Sequence, residues 1–179
     1  MAKARPAART LELHIELTKY PDGRSVLRCA RADGSATWQR HEGRQAAFFP
    51  LHDLTHYAVE SELGFQQGFF GLIADGWDIS DTSGKGARGA LPEESIAVEH
   101  LVGAMDVQRG GGNRWTAAEL NDQAAKQAAL GGRSAPRAVT DDELVRVRER
   151  LANLIGQWTS LPAGRTLVLE FDRRVDSTA

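Results

Sequence analysis

The chain has almost no sulfur chemistry to offer. Cys29 is its single cysteine among 179 residues, which excludes an internal disulfide framework and a cysteine-rich zinc site. Long apolar runs are also missing. No window approaches the roughly 18 consecutive apolar residues that a membrane span needs, so no membrane partner is expected. Nor is there an excess of charge of one sign: 22 Lys and Arg stand against 24 Asp and Glu, a formal net charge of -2. Neutralising phosphates takes a basic surface, so a protein devoted to nucleic acid is not expected. Aromatic residues make up 7% and methionine appears twice. Behind MAKARPAART lies no apolar stretch of the kind a secretory signal carries, which points to a cytoplasmic protein. The 41% hydrophobic content nevertheless suffices for a core, so a wholly disordered chain is excluded.

Periodicity divides what is present. Residues 1–9 show none and read as a mobile tail. In Leu11, Leu13, Ile15 and Leu17 every second residue is apolar, the pattern of a half-buried strand. Pro21-Asp22-Gly23 supplies a turn, a second strand follows over Arg24–Arg31, and Asp33-Gly34 leads into a third over Thr37–His41. After Pro50 the period becomes helical, with helices expected at about 50–63, 66–76, 92–107, 115–130 and 141–159. Pro50 and Pro92 suit a first helical turn, and Thr116…Glu119 and Thr140…Glu143 fit the capping box. Leu167, Leu169 and Phe171 alternate again, as a strand that joins the sheet beside the first one. The expected fold is α+β: a four-stranded antiparallel sheet, three strands from an N-terminal meander and one C-terminal, with about five helices between and packed on one face. One domain over 10–172 is expected, with 173–179 as a second tail.

The chemistry concentrates in Phe48-Phe49-Pro50-Leu51-His52-Asp53-Leu54-Thr55-His56-Tyr57-Ala58-Val59-Glu60. His52 and His56 are four apart, which places two imidazoles on one helical face, the spacing that grips a divalent metal. Apolar residues on two sides of this helix imply burial, which favours the neutral imidazole that binds metal. His-Asp-x-x-His resembles the His-Glu-x-x-His helix of zincin metalloproteases, where the acidic residue serves as general base. That resemblance implies such a role for Asp53, on an arm one methylene shorter. The same four-residue pattern is also similar to helices of some ubiquinone-biosynthesis proteins, but Gly68 stands where their downstream acidic ligand would fall. The longer string is similar to one found in small uncharacterised bacterial proteins, and it brings no activity with it.

Glu60 extends the row. Its backbone stands about 12 Å from that of His52, so it would join His56 or orient it from behind. For a third ligand the candidates are Glu99 and His100, adjacent on the helix after Pro92 and pointing about 100° apart, then Asp75 and Asp78. The metal set is therefore His52, His56, Glu99 and His100, with zinc, iron or manganese as the ion. Asp53 and Glu60 are the candidate catalytic carboxylates, and a small molecule or peptide is the substrate of a hydrolase. Two other readings stand beside this one. The His/Asp helix could be a hydrogen-bond network with backbone carbonyls, Tyr57 or Glu60 in a non-enzymatic binding or regulatory module. It could also work as a metal-free acid–base pair. HD-type phosphohydrolases share the His-Asp pair but need further ligands in an all-helical fold. Gly84-Lys85-Gly86-Ala87-Arg88-Gly89 spells a dinucleotide fingerprint without the preceding strand, and reads as a flexible loop and a candidate substrate lid. Gly64, Gly68 and Gly71 imply close packing, or close approach of a ligand, on the second helix.

Overall fold

The computed structural model describes residues 12–173. Thr10, Leu11 and the two assigned tails, apart from Arg173, lie outside that range. Along the chain run β1 (Leu13–Lys19), β2 (Ser25–Arg31), β3 (Ala36–His41), α1 (Gly43–Leu63), α2 (Phe69–Ala74), a 3₁₀ turn (Ile79–Ser83), α3 (Glu93–Gly111), α4 (Ala117–Leu130), α5 (Asp141–Ser160) and β4 (Thr166–Phe171). The fold is α+β, and the sheet order is β3-β2-β1-β4 with every pair antiparallel. The terminal strand does lie beside the first: Leu13 faces Phe171 and Leu17 faces Leu167.

Strand alternation fixes which face is covered, because a period of two sends neighbouring side chains to opposite sides. Leu13, Ile15, Leu17, Leu27, Cys29 and Phe171 point inward and are buried. On the outer face Glu16 pairs with Arg28 at 2.9 Å, and Trp38 is 64% exposed. The helices pack on the inner face, and one core joins sheet and helices. Both capping boxes are formed, at Thr116 with Glu119 and at Thr140 with Glu143. The apolar stripe of α5, from Leu144 through Val147, Leu151 and Leu154 to Trp158, is buried as its spacing requires. No helix among the described residues is long and apolar enough to cross a membrane.

Several helix boundaries differ from expectation, and α3 runs on to Gly111 rather than ending near 107. α1 begins at Gly43, and Pro50 sits inside it. Arg44-Gln45-Ala46-Ala47 contains good helix formers and no breaker, while Pro50 removes only the hydrogen bond that its N–H would return to Ala46. Earlier initiation therefore wins over a proline start. α2 is shorter than expected, running only from Phe69 to Ala74 after Gly68, which takes the N-cap in an extended conformation; Gly64 is the left-handed cap of α1 (φ 72°), with its N–H on the Glu60 carbonyl. α1 is the central helix: every residue from Asp53 to Glu60 is buried. Arg173, at the start of the assigned C-terminal tail, is bound to Glu12 and Asp75, each at 2.8 Å.

Candidate metal centre

Helical phase brings the two histidines together. Four residues advance just over one turn, and the ring centroids of His52 and His56 stand 4.8 Å apart. α3 packs against α1 and delivers Glu99 to the same point, with its Oε1 3.3 Å from His56 Nε2. One ligand atom from each of His52, His56 and Glu99 lies within 4.8 Å of the others. These residues form a His/His/Glu cluster capable of coordinating a divalent metal ion. Nε2 of His56 is buried and off hydrogen-bond alignment with every neighbour, so its contact with Glu99 is charge attraction. A buried ring nitrogen left this way is costly, and a cation between the three donors would engage it.

A carboxylate stands behind each imidazole. His52 Nδ1 is 2.7 Å from Asp106 Oδ2, which leaves Nε2 as its free donor. His56 Nδ1 is 3.3 Å from Glu60 Oε1. Such partners fix ring orientation and tautomer at metal sites. Glu60 is itself held: it accepts the backbone N–H of Phe70 at 3.0 Å and of Gly71 at 3.2 Å. Gly68 makes this possible, since a Cβ there would overlap the Glu60 carboxyl group. The close approach that the glycines implied is that of Glu60, and a Cβ on Gly71 would instead meet the Gln66 carbonyl.

The electrostatics reverse one expectation. Burial by itself disfavours a charged His56, but Glu60 and Glu99 outweigh it and push the imidazole up to about 10. The metal-free site therefore holds an imidazolium at neutral pH, where the sequence suggested neutral histidine. Burial raises Glu60 above the ordinary carboxylate range, against the opposing pull of His56 and the two N–H groups. Burial also works to raise Glu99, yet His56 and the neighbouring imidazoles hold it below its usual value. Asp53 is pushed up to about 7, chiefly by burial, with His56 pulling down and Asp106 and Glu99 pushing up. Its Oδ2 has no hydrogen-bond partner.

A cavity of about 200 Å³ opens on the cluster. His52, Asp53, His56 and Glu99 line it, between the rings of Phe49 and Phe69. Glu99 is the most open of the three ligands, its side chain 43% exposed. Glu60 is not part of the lining and sits behind His56.

Several expected residues stay apart. His100 does not join the cluster, because a neighbour in a helix is turned about 100° away, and its Nε2 is buried without a partner. Asp75 is paired with Arg173, and Asp78 stands at the N-cap position of the 3₁₀ turn, where its side chain makes no capping hydrogen bond. Tyr57 donates to the Glu170 carbonyl at 2.7 Å rather than to a histidine. In the glycine loop, Arg88 folds back to the Gly76 carbonyl at 2.8 Å and over the Trp77 ring; it is Thr82 and Ser83 of the preceding 3₁₀ turn that reach the cavity wall. Asp106 is the residue that sequence reasoning missed. Its one signal is its position two turns after Glu99, seven residues on along the same face of α3.

Compared with known proteins, the chain matches no family model, no curated protein and no solved structure.

Proposed function

We propose that the chain is a small metal-dependent hydrolase in which His52, His56 and Glu99 hold a divalent ion. The observation that carries this reading is the convergence of the three donors on the wall of a cavity, with carboxylates behind both imidazoles. Two histidines and one glutamate are a donor set of catalytic zinc sites, and two histidines with a carboxylate also suit iron. A divalent ion with an open position supplies Lewis acidity and lowers the pKa of a bound water toward neutrality. Asp53, lining the cavity with a pKa pushed up to about 7, is suited to take and return a proton there, the role its place in the His-Asp-x-x-His run implies. Glu60 and Asp106 hold the rings and do not touch substrate. The cavity suits a small molecule or the side chain of a peptide. A cytoplasmic setting belongs to this reading, supported by the single buried thiol of Cys29.

A second reading has its own observation. His56 sits between two carboxylates as a charge already paired, which a purely structural network in a non-enzymatic binding module would also need. Elemental analysis of tag-free protein, after dialysis and re-addition of zinc, iron and manganese, separates the two. Near-stoichiometric metal that disappears in His56→Ala supports the metalloenzyme and directs a hydrolase screen. No metal in either protein, with the variant merely less stable, overturns it in favour of the binding module.

A further inference from the structure

The cavity at the metal centre meets the sheet at β3. One inward row runs Leu167, Leu17, Leu27 and Gln39 across the four strands. Its three leucines are buried in the core, and the row ends in a glutamine that lines the cavity together with His52, Asp53 and His56. An inward position with no polar duty favours a fourth apolar residue, because a carboxamide loses water there without a hydrogen bond in return. Gln39 is half-buried. Its carboxamide has no hydrogen-bond partner among the described residues, and its polar atoms remain accessible. One carbonyl and two N–H groups are thus left for whatever occupies the cavity.

The other polar groups of the lining are one-sided. The Thr82 hydroxyl donates to the Ile79 carbonyl at 2.7 Å, and the Ser83 hydroxyl to that of Ser80 at 3.1 Å. A hydroxyl has one proton, so lone pairs are what remain, one of Ser83's being taken by the Lys85 N–H at 3.4 Å. Asp53 and Glu99 add carboxylates, and no lysine or arginine lines the space. Lys85 itself is exposed and outside the lining. The charge of His56 is already matched by Glu60 and Glu99. A phosphate or carboxylate group would therefore face acceptors like itself, whereas an N–H donor finds partners. The two aromatic walls are held in place: Phe49 stacks on His41 with centroids 4.4 Å apart, and Phe69 meets Phe70 edge-on at 4.9 Å. Fixed rings suit a flat ligand body.

We infer that this cavity takes an uncharged small molecule bearing a carboxamide, and that Gln39 is the residue that selects it. The Gln39 side chain gives the ligand amide one hydrogen bond and accepts another, and the Thr82 hydroxyl oxygen accepts the remaining N–H. Calling this molecule the substrate rests on the hydrolase reading; the selectivity belongs to the cavity with or without an ion.

The test is an NMR titration of the full chain with benzamide, acetophenone and benzoate, in chelator and again after addition of zinc. Acetophenone matches benzamide in size and has no N–H. Benzoate carries the charge, and is compared in chelator only, where its carboxylate has no ion to ligate. The expected result is saturable movement of the Gln39 side-chain amide signals with benzamide, at an affinity about fivefold above that of either analogue. Gln39→Leu completes the leucine row, so it should melt with the parent and keep its zinc affinity, yet bind benzamide no better than acetophenone. A preference for benzamide in a chain that takes up no zinc would overturn the hydrolase reading and uphold the amide-selective site. Zinc uptake without that preference would do the reverse. Equal affinity for benzamide and either analogue, a preference that survives in Gln39→Leu, or no saturable shift with or without zinc, overturns the proposal.

Discussion

Asp106 on α3 holds the ring of His52 on α1, with 2.7 Å between Oδ2 and Nδ1. The carboxylate is anchored in turn, its other oxygen 2.6 Å from Arg109 Nη2 and 3.4 Å from the Thr55 hydroxyl. It therefore presents a fixed acceptor, and the ring it orients has only Nε2 left for an ion.

Asp106→Asn keeps the shape and removes the charge. The expected outcome is metal affinity weakened by about 10- to 100-fold, with the circular dichroism spectrum and the apo melting curve little changed. Competition against a chromophoric zinc chelator measures it. Unaltered affinity would mean that Asp106 only supports the helix pair.

The metal-free protein should lose stability as pH rises. His56 is raised to about 10 from 6.5, so its stabilising charge is fully present below about 6.5 and is lost as pH climbs toward 10. Asp53 is raised from 3.8 to about 7; its ionisation burdens the folded state progressively across that interval, in the same direction. Urea melts in chelator at pH 5.5 and 8.5 should give the lower midpoint at the higher pH. Because His56 must shed its proton to bind, metal loading at neutral pH should also release protons, read by calorimetry in buffers of different ionisation enthalpy.

Gly68→Ala tests the cradle around Glu60. The added Cβ overlaps the carboxyl group, whose position is fixed by His56 and two backbone N–H groups. Neither side of that contact is a free chain end. A loss of about 1–3 kcal/mol is expected from overpacking, together with weaker metal binding. Denaturant melts and the same chelator competition read both. A neutral substitution would show that Glu60 has room to move.

Most of the architecture is legible in the alternation of Leu13, Ile15 and Leu17 and of Leu167, Leu169 and Phe171, since a period of two admits only one buried face. The stripe from Leu144 to Trp158 and the two threonine caps are legible for the same local reason. The start of α1 is not, because proline at position 50 offers a plausible N-terminus and only the competing stretch from Gly43 decides against it. In the site, the spacing of His52 and His56 and the nomination of Glu99 follow from helical phase. The exclusion of His100 and the arrival of Asp106 do not, because they depend on how α3 is rotated against α1.

The sequence by itself determined the strand parity, the capped helices and the pair of histidines on one face, all consequences of contacts within a turn or two of chain. The tertiary structure alone decided which carboxylates meet those histidines, the protonation that results, and the use of Gly68 to admit Glu60. Those outcomes turn on the docking of elements far apart in sequence, and charge coupling between buried groups is set by distances that no local spacing encodes.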